Sequence, residues 1–583
     1  MTTAGLTPAA TEPLVDGVRI AVLGDSTGWI LEPAPDGALT LVVTGDGPLE
    51  IRLSVPLGEA VGFWHPECHR ERTLVADWAG LAGTSLVAGA LAGCLYQADG
   101  QPSLAFAATE HVAEASMRYG VSEEHRTFVV HLHVTAVAGG YRLLLAPRTP
   151  GVGTVAGALR TLRGALRAGL SPLPTPPAAL VPAYSTWYAF NQEVEAWAVE
   201  EEARRAATLG CGLLILDDGW QELGSGRGYP GVGDWVPDTA KFPDLAGHVA
   251  LVRALGLRYL AWAAPLLIGP ESRAYREWER HAPLPARAPG ARVLDPRVPE
   301  VRRHVVATCR RLVADYGLDG LKLDFLDDVR AYTGTPAPAA ADTPGVGLAM
   351  RELLAELTGE LTAVRPDVLI EFRQPYAGPG LAPYANLLRA DDCPADAVDN
   401  RLRTIDLSLL SYAGAIHSDM LMWDRAASPQ AAARQLIATL QAVPQLSARL
   451  SELPGPHLEM LRFWLDRWHR LHPVLSSGGL EPGRPDELYQ LLTAVHGDEA
   501  VLVAHADRVV PLPPPGARRL TLVNGTTLSR LVVEVPAPGL TAEATRYDAL
   551  GRTDGPHRLT LPAGPVALPV PPSGLVELAV VSP

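Results

Sequence analysis

Lys322-Leu323-Asp324 places an ammonium and a carboxylate two residues apart in the apolar segment Gly320–Phe325 (GLKLDF). On a strand, residues two apart share a face. The lysine would then keep the acid ionised, as a nucleophile requires. The alternative is a structural ion pair at a strand end. Asp391-Asp392 ends another strand-like segment, Asn386–Asp391. Adjacent carboxylates repel, which keeps a proton on one of them and suits a general acid. The alternative is an acid that caps the following helix. Asp217-Asp218 closes a third apolar run, Gly212–Trp220 (GLLILDDGW). This pair too reads as a helix cap or as a hydroxyl-binding pair, and Gly219-Trp220 adds a rigid aromatic wall. Two acids able to act across one bond, further acids for hydroxyls, and 12 Trp against 8 Phe make the chemistry of a sugar site.

Composition narrows the alternatives. In 583 residues acids outnumber bases 64 to 49, for a net charge of −15, and there is no basic run. Nucleic acid and anionic membrane are therefore excluded as expected partners. Only Lys241 and Lys322 are lysines, and neither stands in a Walker A loop. A lysine kept in a chain that otherwise uses arginine points to a need for a compact ammonium. Five widely spaced cysteines, Cys68, Cys94, Cys211, Cys309 and Cys393, give neither a disulfide framework nor a zinc ribbon. Met1–Gly17 shows no signal-peptide pattern, and the apolar stretch near Ser85–Tyr96 is too short to span a bilayer. The expectation is a soluble cytoplasmic protein.

The elements that must position these residues follow from texture. Val18–Leu23, Leu39–Val43, Leu49–Val55 and Thr127–Val137 read as strands of an antiparallel β domain over 1–170, with a connecting helix through Leu159, Leu162 and Leu166. The proline-rich passage within 171–182 is a linker. From 183 to 476 short apolar strands alternate with amphipathic helices, in about eight β–α units. Such alternation predicts a closed (β/α)8 barrel, with a doubly wound open sheet as the other reading. A linker Gly478–Pro485 leads into a small C-terminal β-sandwich over 477–583, with Asn524-Gly525 as a hairpin turn. The fold class is thus a multidomain α/β and all-β chain with a central TIM barrel. Active sites of such barrels lie at the C-terminal strand ends. Those ends carry Trp187, Asp217, Asp218, Trp220, Trp262, Lys322, Asp324, Arg373, Arg389, Asp391, Asp392 and Asp419.

The series YSTW (184–187), LDDGW (216–220), GDW (233–235), KFP (241–243), KLD (322–324) and RADD (389–392) resembles glycoside hydrolase family 36, the α-galactosidases of clan D, which include raffinose synthases. The resemblance covers about half the chain. It implies an N-terminal β-supersandwich, a central barrel and a C-terminal β-sandwich. It makes Asp324 the nucleophile, Lys322 its partner, Asp217 and Asp218 hydroxyl-binding acids, and Trp220 and Trp235 walls of the sugar pocket. Two segments depart from the family. Ala390-Asp391-Asp392-Cys393-Pro394 replaces Ser-Asp-x-x-Asp, and the spacing from Arg389 favours Asp392 over Asp391 as acid/base. Glu371-Phe372-Arg373-Gln374-Pro375-Tyr376 replaces Cys-Ser-Gly-Gly-Gly, which opens the specificity to sugars related to galactose.

The resemblance implies a retaining double displacement, with carboxyls roughly 5–5.5 Å apart and no metal or organic cofactor. The substrate expected is a terminal α-galactoside of a small oligosaccharide. Transglycosylation and a non-catalytic sugar-binding barrel are the alternatives. The architecture is often oligomeric, so a homo-oligomer is a further expectation of the resemblance. Among other signals, His65-Pro66-Glu67-Cys68-His69 reads as a surface loop sooner than a metal site. His417-Ser418-Asp419 cannot form a triad, because neighbours on one strand do not face one another, although Asp419 is placed to bind sugar. Gly224–Gly228 (GSGRG) reads as a barrel loop, and Leu461, Trp464, Trp468 and Leu471 as core.

Overall fold

The computed structural model describes residues 12–13, 17–24, 28–45, 47–76, 78–137, 139–148, 153–167, 169–411, 414–477, 479–513 and 516–582. Gly478, the first residue of the expected linker, and most of Met1–Gly17 lie outside them. Two six-stranded antiparallel sheets face each other in the N-terminal part. One contains Gly47–Pro56 paired with Thr127–Val137, and the other contains Tyr141–Pro147 paired with Pro102–Ala108. Alternation sends Ile51, Leu53, Phe128, Val130 and Leu132 into the core between the sheets. Every residue of Pro102–Ala108 is buried, because helix Val155–Arg167 covers the second face of that sheet.

The barrel strands are Ala183–Ser185, Leu213–Leu216, Arg258–Ala263, Gly320–Leu323, Leu369–Arg373, Leu387–Arg389, Ala415–His417 and Gln445–Leu446. All neighbours are parallel, and the last strand pairs with the first. Bridges His417↔Val443 and Leu421↔Leu446 close the ring. The strands are nearly continuous apolar runs because helices cover them outside and side chains fill them inside. The fifth connection differs from the expected alternation: a single 3-10 turn, Pro379–Leu381, stands between Leu369–Arg373 and Leu387–Arg389. Prolines 375 and 379 flank that stretch and deny it a helix. Helix Pro299–Tyr316 ends at Gly317 with φ 66°, and helix Pro429–Ala438 is capped by Ser428, as their sequences predict.

The C-terminal part is a seven-stranded sheet wrapped round its own core. Asn524-Gly525 is not a hairpin turn. Arg519–Asn524 and Arg530–Tyr547 do not pair with each other: Leu575–Ser582 lies between them and pairs with both. The Asn524 amide donates to Leu528, Val570 and Pro571 carbonyls and so pins a wider loop.

One buried carboxylate ties the three parts together. Asp406, on the barrel helix Ala397–Leu410, accepts from Trp64 Nε1 at 2.8 Å and Tyr489 OH at 2.7 Å, and pairs with Arg72 at 2.6 Å. His65 and Cys68 are buried in the same region, and His65 bonds to Tyr119 OH at 3.0 Å. The HPECH segment is thus packed between units and is not a surface loop. Asp406→Ala leaves the buried Arg72 guanidinium without its carboxylate, with only the His69 carbonyl and the Tyr489 ring beside it. We expect it to lower stability by about 3–5 kcal/mol, read as a fall in the urea midpoint, with partial recovery in Arg72→Met/Asp406→Leu.

Candidate active site

The C-terminal ends of the barrel strands bring most of the expected residues together. Lys322 points into the barrel, where its Nζ meets Asp217 Oδ2 at 2.5 Å. Ser185 Oγ donates to the same oxygen. The ammonium thus pairs with Asp217 directly, not with Asp324 as the two-residue spacing suggests. Asp324 sits one residue beyond its strand. It accepts from Trp262 Nε1 at 3.0 Å, Phe325 N at 2.7 Å, Tyr376 OH at 3.2 Å and Arg373 Nε at 2.7 Å. Burial alone would raise its pKa. The charges of Arg373 and Lys322, with the Trp262 bond, outweigh burial and hold the carboxyl well below the usual range.

Asp391 and Asp392 face different arginines. Each has its own arginine: Arg373 Nη1 lies 3.3 Å from Asp391, and Arg389 Nη1 lies 3.0 Å from Asp392. Against burial, Arg389 keeps Asp392 below its ordinary range. Neither acid caps the next helix, since Asp396 does so through Val398 N and Asp399 N. Asp217 and Asp218 cap no helix either; Asp244 fills that place for Leu245–Ala254. Burial pushes Asp419 up to about 6. It has no exposed surface, and Arg389 Nη1 at 2.5 Å, Cys393 N at 2.7 Å and Tyr188 OH at 3.1 Å occupy its oxygens. The expected sugar contact at Asp419 is therefore replaced by a buried support. Arg389, 1% exposed, is a support as well.

The tryptophans also lie deeper than expected. Trp220 has no exposed surface and donates to Trp262 O at 2.9 Å. Trp235 and Trp262 are buried, with ring centroids 5.6 Å apart. These three rings form a layer behind Asp324 instead of open pocket walls. Trp187 is half-buried at the start of a short helix, with the Arg227 guanidinium 5.3 Å from its ring. Asp218 is fixed by Gln192 and Gln221 at 2.6 and 2.7 Å, and burial pushes it up to about 6. The reachable face of the cluster is Asp324, Arg373, Asp391, Asp392 and Trp187. Beside Asp391 a cavity of about 220 Å³ opens between barrel and N-terminal part, lined by Glu67, His69, Ala90, Gln374 and Arg403.

Tyr188, Gln192, Gln221, Tyr376 and Gln445 hold the charged residues but escape a reading focused on charge. Their signal was position alone, in or within seven residues of a barrel strand. Lys241 explains its own retention: its Nζ donates to the carbonyls of Gln192, Gly219 and Gly224 at 2.8–2.9 Å, which ties down the GSGRG loop.

A closed parallel barrel with carboxylates at its C-terminal mouth stands between two β units. Residues 181–401 match the Melibiase family model. Probable alpha-galactosidase G of Aspergillus terreus is 29% identical over 255 residues, 40% of this chain and 33% of its own length. Alpha-galactosidase AgaA of Geobacillus stearothermophilus is 33% identical over 148 residues, 24% of this chain and 20% of its own. The chain thus spans a third or less of the curated relatives it matches. A crystal structure of an AgaA variant in complex with stachyose superposes with a TM-score of 0.61 at 15% identity, covering 97% of this chain and 82% of that one. The middle of the chain is thus similar to the Melibiase family, and the chain shares its fold with solved GH36 α-galactosidases.

Beneath the site, Glu371 is fully buried and accepts from Gln445 Nε2 at 2.6 Å. Burial raises its pKa against Lys322 and Arg389. A glutamate that keeps its proton is mimicked by glutamine, so Glu371→Gln should change stability by less than about 1 kcal/mol. Thermal melting checks this, and a loss of several kcal/mol would show that Glu371 is ionised.

Proposed function

We propose that the chain is a retaining α-galactosidase that releases terminal α-linked galactose, or a closely related sugar, from small oligosaccharides. The observation that carries this reading is Asp324, ionised at the barrel mouth between Arg373 and Trp262, with Asp392 exposed nearby on its own arginine. In the first step Asp324 attacks the anomeric carbon. The glycosidic C–O bond breaks, and Asp392, which must first take up a proton against the pull of Arg389, gives that proton to the leaving oxygen. In the second step Asp392 takes a proton from water, whose oxygen attacks the same carbon and expels Asp324. Two inversions give net retention. The remaining contacts of the sugar would come from Trp187, Asp391 and Arg373, and the cavity beside Asp391 offers room for the rest of the oligosaccharide. Asp217, Asp218 and Lys322 would shape the floor. Stachyose bound in the AgaA variant supports the substrate class. A cytoplasmic location is also proposed, and five free, buried cysteines support it.

Hydrolysis of an aryl α-galactoside, followed by proton NMR of the first product, tests the reading. The α-anomer is expected from wild type and nothing from Asp324→Ala. Asp392→Asn should lose about 10²–10⁴-fold on a substrate with a poor leaving group. It should lose far less on an activated aryl glycoside, with azide restoring turnover. A β-anomer first product would overturn retention, and an Asp391→Asn variant with the Asp392 phenotype would exchange the two roles.

The pH profile offers a separate check. Asp419 shares Arg389 with Asp392, and its negative charge raises the proton affinity of its neighbour. Asp419→Asn removes that charge, leaves Arg389 to Asp392 alone, and should move the alkaline limb of kcat/KM to lower pH. An unmoved limb would show that Asp419 is merely structural.

A further inference from the structure

On the N-terminal sheet, Gly47–Pro56 and Thr127–Val137 run antiparallel with His133 opposite Glu50 and His131 opposite Arg52. Ile51, Leu53, Val130 and Leu132 point into the core. Side chains alternate, so Glu50, His131 and His133 share the other face. The Glu50 carboxylate takes both imidazoles: Oε1 bonds to His131 Nδ1, and Oε2 lies 3.7 Å from His133 Nδ1. One donor atom from each residue lies within 4.8 Å of the other two.

We propose that Glu50, His131 and His133 form a zinc-class divalent cation site that clamps these two strands. Two imidazole nitrogens and one carboxylate oxygen suit zinc, with water as fourth ligand, and disfavour magnesium and calcium, which take oxygen ligands. Zinc–nitrogen bonds near 2.0–2.1 Å put tetrahedral donors about 3.3 Å apart. To reach that spacing the His131–Glu50 pair must open and His133, whose side chain is 45% exposed, must close in. His131 is already held. Its ring lies 4.2 Å from Trp78 in an edge contact, and Arg52 lies over the far ring system of Trp78 at 5.7 Å. The site belongs to the N-terminal sheet and is independent of the glycosidase reading.

The test uses tag-free, full-length protein stripped with a chelator and titrated with zinc chloride by calorimetry. One saturable equivalent at micromolar zinc is expected, with no equivalent for magnesium. His133→Gln and Glu50→Gln should each weaken it at least about tenfold. Zinc should raise the melting temperature of wild type and not of the variants. Aryl-galactoside hydrolysis by the variants should match wild type. His133→Gln changes an exposed side chain, and Glu50→Gln keeps the shape of the other ligand, so one folded variant suffices. Absence of a saturable equivalent, or wild-type binding by a folded variant, would overturn the site.

Discussion

The barrel mouth depends on three cations set among an excess of carboxylates. Lys322 holds Asp217, Arg373 holds Asp324 and Asp391, and Arg389 holds Asp392 and Asp419. Without these pairings, acids this close together in a water-poor site would take up protons or force the strand ends apart. The division also differentiates the acids chemically. Asp324 and Asp392 are pushed down, while Asp218 and Asp419 are pushed up to about 6. Identical side chains therefore differ in proton affinity because their neighbours differ.

Those pairings are held by parts of the chain outside the barrel. Gly89 N of the N-terminal part bonds to Pro375 O at 3.0 Å, next to Arg373 and Tyr376. Arg70 pairs with Asp396 and Asp399 at the start of the helix that follows Asp392. The same helix carries Asp406, which receives Trp64, Arg72 and Tyr489. The segment from Asp391 to Asp406 is thus fixed at both ends by the flanking β units. This is the shell that a preorganised site needs, because a misplacement of about 1 Å at a carboxylate costs orders of magnitude in rate.

The fold was legible where the pattern was local. Strand alternation, the Gly317 stop and the Ser428 cap each depend on a few neighbouring residues. The Asn524-Gly525 turn misled because strand pairing there is settled by a partner some fifty residues away, Leu575–Ser582. The charged site residues were visible in sequence as acids and bases at strand ends, but their partners were not. Lys322 reaches across the barrel to Asp217 instead of along its strand to Asp324, and spacing along one strand says nothing about that choice. The depth of Trp220 and Trp235 was hidden for the same reason: sequence shows that a ring is near a strand end, not which layer it fills. Glu50, His131 and His133 could be joined only once the register of two strands far apart in sequence was known.

Arg373 bears on how both proposed steps could run at one carboxylate. An arginine bonded to Asp324 stabilises its charge, which lowers its basicity and slows attack on the anomeric carbon. The same bond stabilises the carboxylate as it departs from the glycosyl ester. Formation is thus penalised and breakdown assisted by one contact. Arg373 Nη1 also lies 3.3 Å from Asp391 and 2.8 Å from Gln374 O, so the guanidinium is shared and not devoted to the nucleophile. A sugar hydroxyl arriving between Arg373 and Asp391 would compete for those donors and change the field at Asp324. On the proposed reading, the contact that reads the sugar and the contact that tunes the nucleophile would pass through one side chain, which would couple specificity to rate.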